Sequence, residues 1–314
     1  SEETYMAEIS ASLVKQLREQ TGAGMMDCKR ALTETEGKID DAVDWLRKKG
    51  ISGAVKKSTR IAADGLVGVS IGASTASLVE VNSETDFVSR NDDFQNFVSR
   101  ISKIALDNIS TLEDLKKFQY DDSKKNVEEK LTELVGKIGE NIVLRRLETM
   151  EFKDNTCFSS YVHGQVKSNL GKIGVIIAFK CDKDCEEVFQ LGKQIAMHVA
   201  ASKPIALSIE SVDKNLVERE KKILFDQAKS SGKPEKIINQ MVMGRVSKFY
   251  NEIVLMEQTW VMDGETKLSK IIKNFENDMK CNFIIKDFKY FVLGEGIELD
   301  KKDFVSEVAE QANK

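Results

Sequence analysis

The amino-acid sequence predicts an α+β fold, in which helices and antiparallel strands occur in separate blocks along the chain. Apolar residues recur at three- and four-residue steps in several segments, which is helical spacing. Two β-prone runs, residues 65–72 and 75–82, alternate in polarity and are joined by a short turn. Strands connected by short hairpins favour an antiparallel sheet with helices beside it over a doubly wound parallel sheet.

The first part of the chain, residues 7–55, is predicted to be a small module of three helices. Each helix has an apolar stripe, and glycines separate one helix from the next. The first helix is expected to be capped by Ser10 or Ser12, and the second to cover residues 25–35. The third is expected to begin with Asp40 as its cap and to end at Gly50.

Two methionines, Met25 and Met26, follow the Gly-Ala-Gly loop of this module. The pattern leaves two interpretations open. They either fill gaps in the core or expose flexible thioethers at the start of a helix.

A basic linker is predicted at residues 52–63, and its end overlaps the start of a core made of a sheet and helices. The first part of this core covers residues 56–150, and its second part combines residues 151–201 with residues 251–293. The strand, acidic loop and helix of residues 78–105 are repeated in residues 173–200, which indicates a duplicated core. Further strands are predicted at residues 141–150, 156–164, 173–180, 252–262 and 283–293, and helices at residues 92–106, 124–135 and 268–275, with a break at residues 136–139.

Residues 202–250 are predicted to form a hairpin of two amphipathic helices that pair in antiparallel fashion. The outer face of this hairpin is either solvent-exposed or a contact surface. Residues 294–314 are predicted to be a C-terminal helical module, with a closing helix after Asp300.

The corner between the second strand and the next helix carries the residues Thr85, Asp86, Phe87 and Val88, called here the TDFV loop. In one interpretation Phe87 folds back on the coming helix as a hydrophobic staple and Asp86 caps a turn. In the other, both side chains project into the pocket of a partner, because loops on a rigid frame often carry function. The local pattern does not decide between them.

Composition limits the possible functions. The 314 residues are enough for two or three domains. The 47 Lys and Arg against 51 Asp and Glu give a formal net charge of -4, whereas dedicated nucleic-acid-binding proteins are usually strongly basic. No window approaches the ~20 apolar residues that cross a bilayer, and no secretory signal is recognisable. We expect a soluble, cytoplasmic protein without a membrane segment.

The five cysteines do not suggest a disulfide framework, because their number is odd and they are scattered. Cys181 and Cys185 form a C-x-x-x-C pair, but His163 and His198, the two histidines of the chain, do not lie near them in sequence. Reduced thiols are therefore a better interpretation than a zinc site, and no metal or cofactor is predicted.

No motif for covalent chemistry is present in the sequence. Each Gly-Lys pair is followed by Ile, Gln or Pro, so the Ser or Thr of a phosphate-binding P-loop is missing. His163 is more often packed or at the surface in such a context than a general base. The residues alone predict a multi-domain binding protein that is not an enzyme.

Six segments in this order resemble the elongation factor Ts family, the exchange factors of the GTPase elongation factor Tu. They are TGAGMMDCKRAL (21–32), NSETDFVSRNDDF (82–94), KIGENIVLRR (137–146), HVAASKP (198–204), SGKP (231–234) and GEGIE (294–298). The resemblance implies a ubiquitin-associated-like N-terminal module, a duplicated core, a protruding antiparallel coiled coil and a C-terminal helical module. The resemblance does not predict the contacts made by two stretches, residues 106–125 and 165–171.

The resemblance also implies roles for particular residues. Asp86 and Phe87, within Thr85 to Val88, would insert beside the Mg²⁺ site of elongation factor Tu and release GDP, with no nucleotide bound by this chain itself. The partner would further be contacted at its G domain by Met25, Met26, Lys29, Ile138 and Gly139, and at a second domain by His163.

Two alternative functions remain at this stage. One is an accessory protein that binds nucleic acid or the ribosome. The other is a dimerising scaffold that self-associates through the helical hairpin, and a homodimer through the coiled coil is compatible with the exchange function as well.

Overall fold

The computed structural model describes residues 9–49 and 57–298. The predicted helix after Asp300, the end of the third helix at Gly50 and the first part of the predicted linker lie outside these residues. The chain divides into two compact units: one contains the described residues up to Met150, Val162–Gly174 and those from Phe291 onward, and the other contains Glu151–Tyr161 and Val175–Tyr290. In the described part of the chain, no helix is long and apolar enough to cross a membrane.

Helices and antiparallel strands make up the described part, which confirms the predicted α+β class. The helices are α1 Ala11–Thr21, α2 Met25–Glu34, α3 Ile39–Lys48, α4 Asp92–Ile104, α5 Leu112–Lys117, α6 Val127–Ile138, α7 Glu186–Ser202, α8 Lys214–Lys229, α9 Glu235–Ile253 and α10 Leu268–Met279. The strands are β1 Asp64–Ile71, β2 Thr75–Ser83, β3 Val143–Glu151, β4 Cys157–His163, β5 Leu170–Gly171, β6 Ile173–Cys181 and β7 Phe283–Val292.

The three predicted N-terminal helices are present as α1, α2 and α3. Ser10 accepts a hydrogen bond from the Leu13 N–H at 3.2 Å and so caps α1, as expected. The predicted cap Asp40 is wrong, because α3 already begins at Ile39. Asp40 lies in the first turn instead, where its carboxylate is close to the positive end of the helix dipole. The module core consists of Leu17, Ala23, Cys28, Ala31, Leu32, Ala42 and Leu46.

In the first unit, β1 and β2 form the predicted antiparallel hairpin, with Asp64 opposite Ser83 and Ile71 opposite Ala76. The sheet has the order β3-β2-β1-β5. The helix α4 packs on this sheet through Phe94, Val98 and other apolar side chains. The helix α5 lies in the stretch that the sequence left unassigned, and β5 occupies the end of residues 165–171.

Helix α6 corrects the break predicted at residues 136–139. It continues through Gly136 and ends at Ile138, with Gly139 in the left-handed region at φ 85°. A Cβ atom on Gly136 would lie 2.3 Å from the carbonyl oxygen of Glu19 and 2.8 Å from the Gly22 nitrogen. Glycine is therefore needed here for the close approach of α1 and α6, not to interrupt the helix.

Glu80 lies on β2 with its side chain fully buried. Its carboxylate pairs with the guanidinium of Arg145 at 3.0 Å and with that of Arg146. It also accepts a hydrogen bond from the Gly294 N–H at 2.7 Å. Arg146 in turn lies over the ring of Phe291, 4.2 Å from its centroid. The segment after β7 is thus fixed to the middle of the first sheet.

The second unit contains the sheet of order β4-β6-β7, with α7 and α10. The rings of Phe179 on β6 and Phe283 on β7 stack with centroids 5.0 Å apart. Helix α7 comes close at Gly192, where a Cβ atom would lie 2.5 Å from Ser159 Oγ. Strand, loop and helix follow one another here (β6 to α7) as they do in the first unit (β2 to α4).

Helices α8 and α9 form the predicted hairpin and pack through Val217, Val246 and neighbouring apolar residues. The strand predicted at residues 252–262 is wrong. Helix α9 extends to Ile253 and is followed by a short 3₁₀ helix, Leu255–Glu257. Val254, Leu255 and Trp260 of this run are buried, and periodicity alone does not distinguish a short apolar run of this kind from a strand.

Candidate functional site

The TDFV loop leads from β2 into a 3₁₀ helix, Asp86–Arg90, which precedes α4. The side chain of Phe87 is 82% exposed, whereas Val88 is only 5% exposed and belongs to the core under the sheet. Because adjacent residues point in opposite directions, Val88 anchors the loop and Phe87 projects away from the protein. The hydrophobic-staple interpretation of Phe87 is therefore wrong.

The base of the TDFV loop is fixed by one carboxylate. Glu140 accepts hydrogen bonds from the Thr85 N–H at 2.8 Å and from the Thr85 hydroxyl at 2.7 Å, one at each oxygen. In the reverse direction, the N–H of Asn141 donates to Glu84 at 2.8 Å. These three bonds join the TDFV loop to the residues that follow α6, so the two segments form one surface.

The far side of the loop is equally well supported. The Gln95 amide donates to the Ser89 carbonyl at 2.8 Å, and Asn91 caps α4 by accepting from the Phe94 N–H at 3.0 Å. An exposed ring on a loop fixed at both ends loses little conformational freedom when it binds, which favours recognition by a partner.

The TDFV loop also carries negative charge. The Asp86 side chain is exposed, and among the described residues nothing donates a hydrogen bond to its carboxylate. Desolvation raises the pKa of the nearby Asp64 carboxyl, and the charges of Asp86 and Glu140 raise it further, whereas Lys172 acts in the opposite direction. A phosphate group placed at this surface would be repelled, and a divalent cation would be attracted.

Beside the loop, the N-terminal module and the end of α6 enclose a groove of about 710 Å³. Three residues expected to contact a partner line it together: Met25, Lys29 and Gly139. Met25 and Met26 are 58% and 74% exposed, so the second of the two interpretations, exposed thioethers at the start of a helix, is confirmed. The remaining lining residues come from α1 and its flanks, from Lys57 and from the end of α6.

The other expected contact residues lie outside this groove. Ile138 is half-buried at the last turn of α6, and Met26 faces solvent beside Met25 without lining the groove. His163 is exposed at the end of β4. It is not among the residues that line the groove.

Glu140 and Glu84 hold the base of the TDFV loop, and the sequence did not predict this role. Both lie inside segments that were compared with a known family, but carboxylates are abundant in this chain and nothing singled these two out. Glu140 pairs with Thr85 and Glu84 with Asn141, in each case more than fifty positions apart, so only the fold reveals these contacts.

Comparison with known proteins covers this site and nearly the whole chain. The sequence model of the family described as Elongation factor TS matches residues 84–295. The protein called elongation factor Ts in Rhodospirillum centenum is 50% identical over 307 residues, which cover 98% of this chain and 100% of that protein. The chain belongs to the elongation factor Ts family.

Two further members of the elongation factor Ts family show similar agreement. That of Rhodospirillum rubrum is 49% identical over 310 residues, and that of Paramagnetospirillum magneticum is 47% identical over 307 residues, each covering 98% of this chain. The family match begins at Glu84, so the TDFV loop and α6 lie inside it, and the relatives extend across the N-terminal module as well. As an elongation factor Ts, the protein acts in translation.

Proposed function

We propose that this elongation factor Ts binds elongation factor Tu in its GDP form and accelerates the exchange of GDP for GTP. The observation that carries the proposal is the exposure of Phe87 on a loop whose base is held by Val88 and Glu140. A large apolar ring kept in water by a rigid support is stabilised by a pocket on a partner.

The exchange follows from what holds the nucleotide. Translational GTPases hold the phosphates of GDP with a backbone loop and a lysine, and a Mg²⁺ ion neutralises their charge. The TDFV loop enters beside this Mg²⁺: the ring of Phe87 wedges between apolar side chains, and the carboxylate of Asp86 takes up donors and repels phosphate. Mg²⁺ is lost, the phosphate-binding loop relaxes, and GDP dissociates.

Thermodynamic linkage requires the effect to be mutual. A partner that binds the nucleotide-free GTPase more tightly than the loaded one weakens nucleotide binding by the same factor. No covalent step is involved, and this chain needs no nucleotide site of its own.

The remaining contacts fix the orientation of the complex. Met25, Met26 and Lys29 bind a helix of the G domain, and Ile138 and Gly139 press on the same domain. The support for this is that Met25, Lys29 and Gly139 line one groove, next to the segment that holds the TDFV loop. His163 meets a second domain of the GTPase.

The decisive experiment measures the release of a fluorescent GDP from elongation factor Tu with and without this protein. We expect release to accelerate with protein concentration and the complex to dissociate in excess GDP and Mg²⁺. Unchanged GDP release would contradict the proposal. RNA affinity that falls steeply with salt, together with unchanged release, would favour the accessory protein. Self-association lost on shortening residues 213–249 would favour the scaffold.

A further inference from the structure

A cluster of soft and hard donor atoms lies in the second unit, away from the residues discussed so far. Cys181 Sγ, Cys281 Sγ and a carboxylate oxygen of Asp182 all lie within 4.8 Å of one another. Within residues 9–49 and 57–298 it is the one group of three such side chains brought together in this way. Its members come from two places in the sequence, the end of β6 and the turn that precedes β7.

The two turns are held together by hydrogen bonds of their own. Asp182 Oδ1 accepts from the Asn282 N–H at 2.8 Å, and Lys183 Nζ donates to the Met279 carbonyl at 3.1 Å. The donor atoms are therefore positioned by the fold before any ligand binds. Asp182 keeps its second oxygen for other partners.

The spacing suits a tetrahedral metal ion. Two thiolates bound to zinc at about 2.3 Å are about 3.8 Å apart, which fits within the observed limit. Thiolates select zinc-like ions over Mg²⁺ and Ca²⁺, which prefer oxygen ligands. A disulfide would account for the two sulfur atoms but would not use the second oxygen of the Asp182 carboxylate.

The three side chains of the cluster differ in their exposure to solvent. Cys281 is buried, Cys181 is half-buried and Asp182 is exposed. One side of the site is thus protein and the other is solvent, so water can occupy a fourth coordination position.

We propose that Cys181, Cys281 and Asp182 bind a zinc-like divalent cation and thereby clip the end of β6 to the start of β7. This disagrees with the interpretation from sequence, which considered only the C-x-x-x-C pair and favoured reduced thiols. Cys185 of that pair is the residue before α7, and its sulfur is not part of the cluster. The actual neighbour of Cys181 is a hundred positions further along the chain.

Cobalt is the suitable probe, because Co²⁺ substitutes for zinc and shows charge-transfer absorption when thiolates bind it. The full chain, reduced with a phosphine, is titrated with Co²⁺ and then with Zn²⁺. We expect thiolate-to-cobalt absorption that saturates at one ion per chain and disappears when Zn²⁺ is added. Zinc should also raise the melting temperature, since a ligand that binds only the folded state stabilises it.

Variants locate the site. Cys181→Ser and Asp182→Asn should weaken Co²⁺ binding by at least about tenfold, the lower end of what second-shell changes already cause. Asp182→Asn keeps an acceptor for the Asn282 N–H, and Cys181 is half-buried, so both variants should fold. Cys185→Ser is the matched control, in the same loop, and should bind Co²⁺ like the wild type.

Three results would overturn the proposal. One is the absence of thiolate-to-cobalt absorption in the reduced wild type. Another is undiminished absorption in Cys181→Ser. The third is loss of binding in Cys185→Ser with retention in Cys181→Ser. None of these readouts depends on elongation factor Tu, so they are independent of the exchange function.

Discussion

Glu140 holds Thr85 at two points, the backbone N–H at 2.8 Å and the hydroxyl at 2.7 Å. Each oxygen of the carboxylate serves one donor, so the orientation of the Thr85 backbone is fixed as well as its position. Two residues later the chain presents Phe87. The direction of the exposed ring is thus set by a residue that follows another element, α6.

Removal of this carboxylate should impair exchange and should also lower stability. In Glu140→Gln, one carboxylate oxygen becomes an NH₂ group that faces a donor of Thr85. One hydrogen bond to a charged group is therefore lost, which costs about 1.5–3 kcal/mol. We expect several-fold slower GDP release from elongation factor Tu, measured at saturating protein. Glu128→Gln, an exposed glutamate at the start of α6, is the control and should exchange normally. Equal rates for Glu140→Gln and wild type would show that the loop does not need this support.

Phe87→Ala should separate function from folding. The ring is 82% exposed, so its removal should change the free energy of unfolding by no more than about 0.5 kcal/mol, as for other surface substitutions. GDP release should nevertheless slow by at least an order of magnitude, because the wedge is gone. Phe118→Ala, at a partly exposed phenylalanine outside the proposed contacts, tests whether loss of any surface ring has this effect. A normal release rate in Phe87→Ala would remove the wedge from the mechanism.

The same substitution at two helical glycines should have opposite effects on stability. In Gly136→Ala the new methyl group meets backbone atoms of α1, the nearest at 2.3 Å, which should cost about 1–3 kcal/mol and loosen the N-terminal module from α6. In Gly244→Ala nothing lies within 4 Å, and the higher helix propensity of alanine should stabilise by up to about 1 kcal/mol. Thermal unfolding of both variants measures this. Destabilisation of the two by the same amount would mean that the contact with α1 is not what requires glycine at position 136.

His198 should make stability depend on pH. It is fully buried, its Nε2 faces Gln258 Oε1 at 2.9 Å, and its Nδ1 accepts from the Val261 N–H at 3.2 Å, so the neutral ring uses both nitrogens. Desolvation lowers the pKa of His198, although the hydrogen bond to Gln258 acts in the opposite direction. Below an unfolded-state pKa of about 6.5 the unfolded chain therefore binds the proton first.

Since the unfolded state binds more protons in that range, the free energy of unfolding falls as the pH is lowered from about 7 toward the folded-state pKa of His198. Urea unfolding at several pH values should show this fall in the wild type and a smaller one in His198→Asn. An identical pH dependence in His198→Asn would assign the fall to other groups.

Much of the fold follows from local pattern. The helices of the N-terminal module, the β1-β2 hairpin and the α8-α9 hairpin were predictable, because apolar spacing and glycine or proline turns reflect burial directly. At residues 136–139, where prediction failed, a distant segment decided the outcome. Gly136 was interpreted as a helix break because its packing partner α1 is more than a hundred residues away.

The same limit applies to the candidate site. The residues of the TDFV loop were identified from sequence, but whether Phe87 points inward or outward depends on Val88 filling the core and on Glu140 holding the base. The proximity of Cys181 to Cys281 was likewise not predicted, because Cys185 is the cysteine that follows Cys181 most closely in sequence. Spacing along the chain finds local motifs and does not find contacts made across a sheet.

The position of Glu80 has a consequence for how the protein is made. Its carboxylate is buried in β2, yet one of its donors, Gly294, is synthesised 214 positions later. A nascent chain therefore cannot complete the contacts of Glu80 before Gly294 has left the ribosome. Fragments that stop after β3 should be poor substitutes for the whole, however much of the exchange surface they contain.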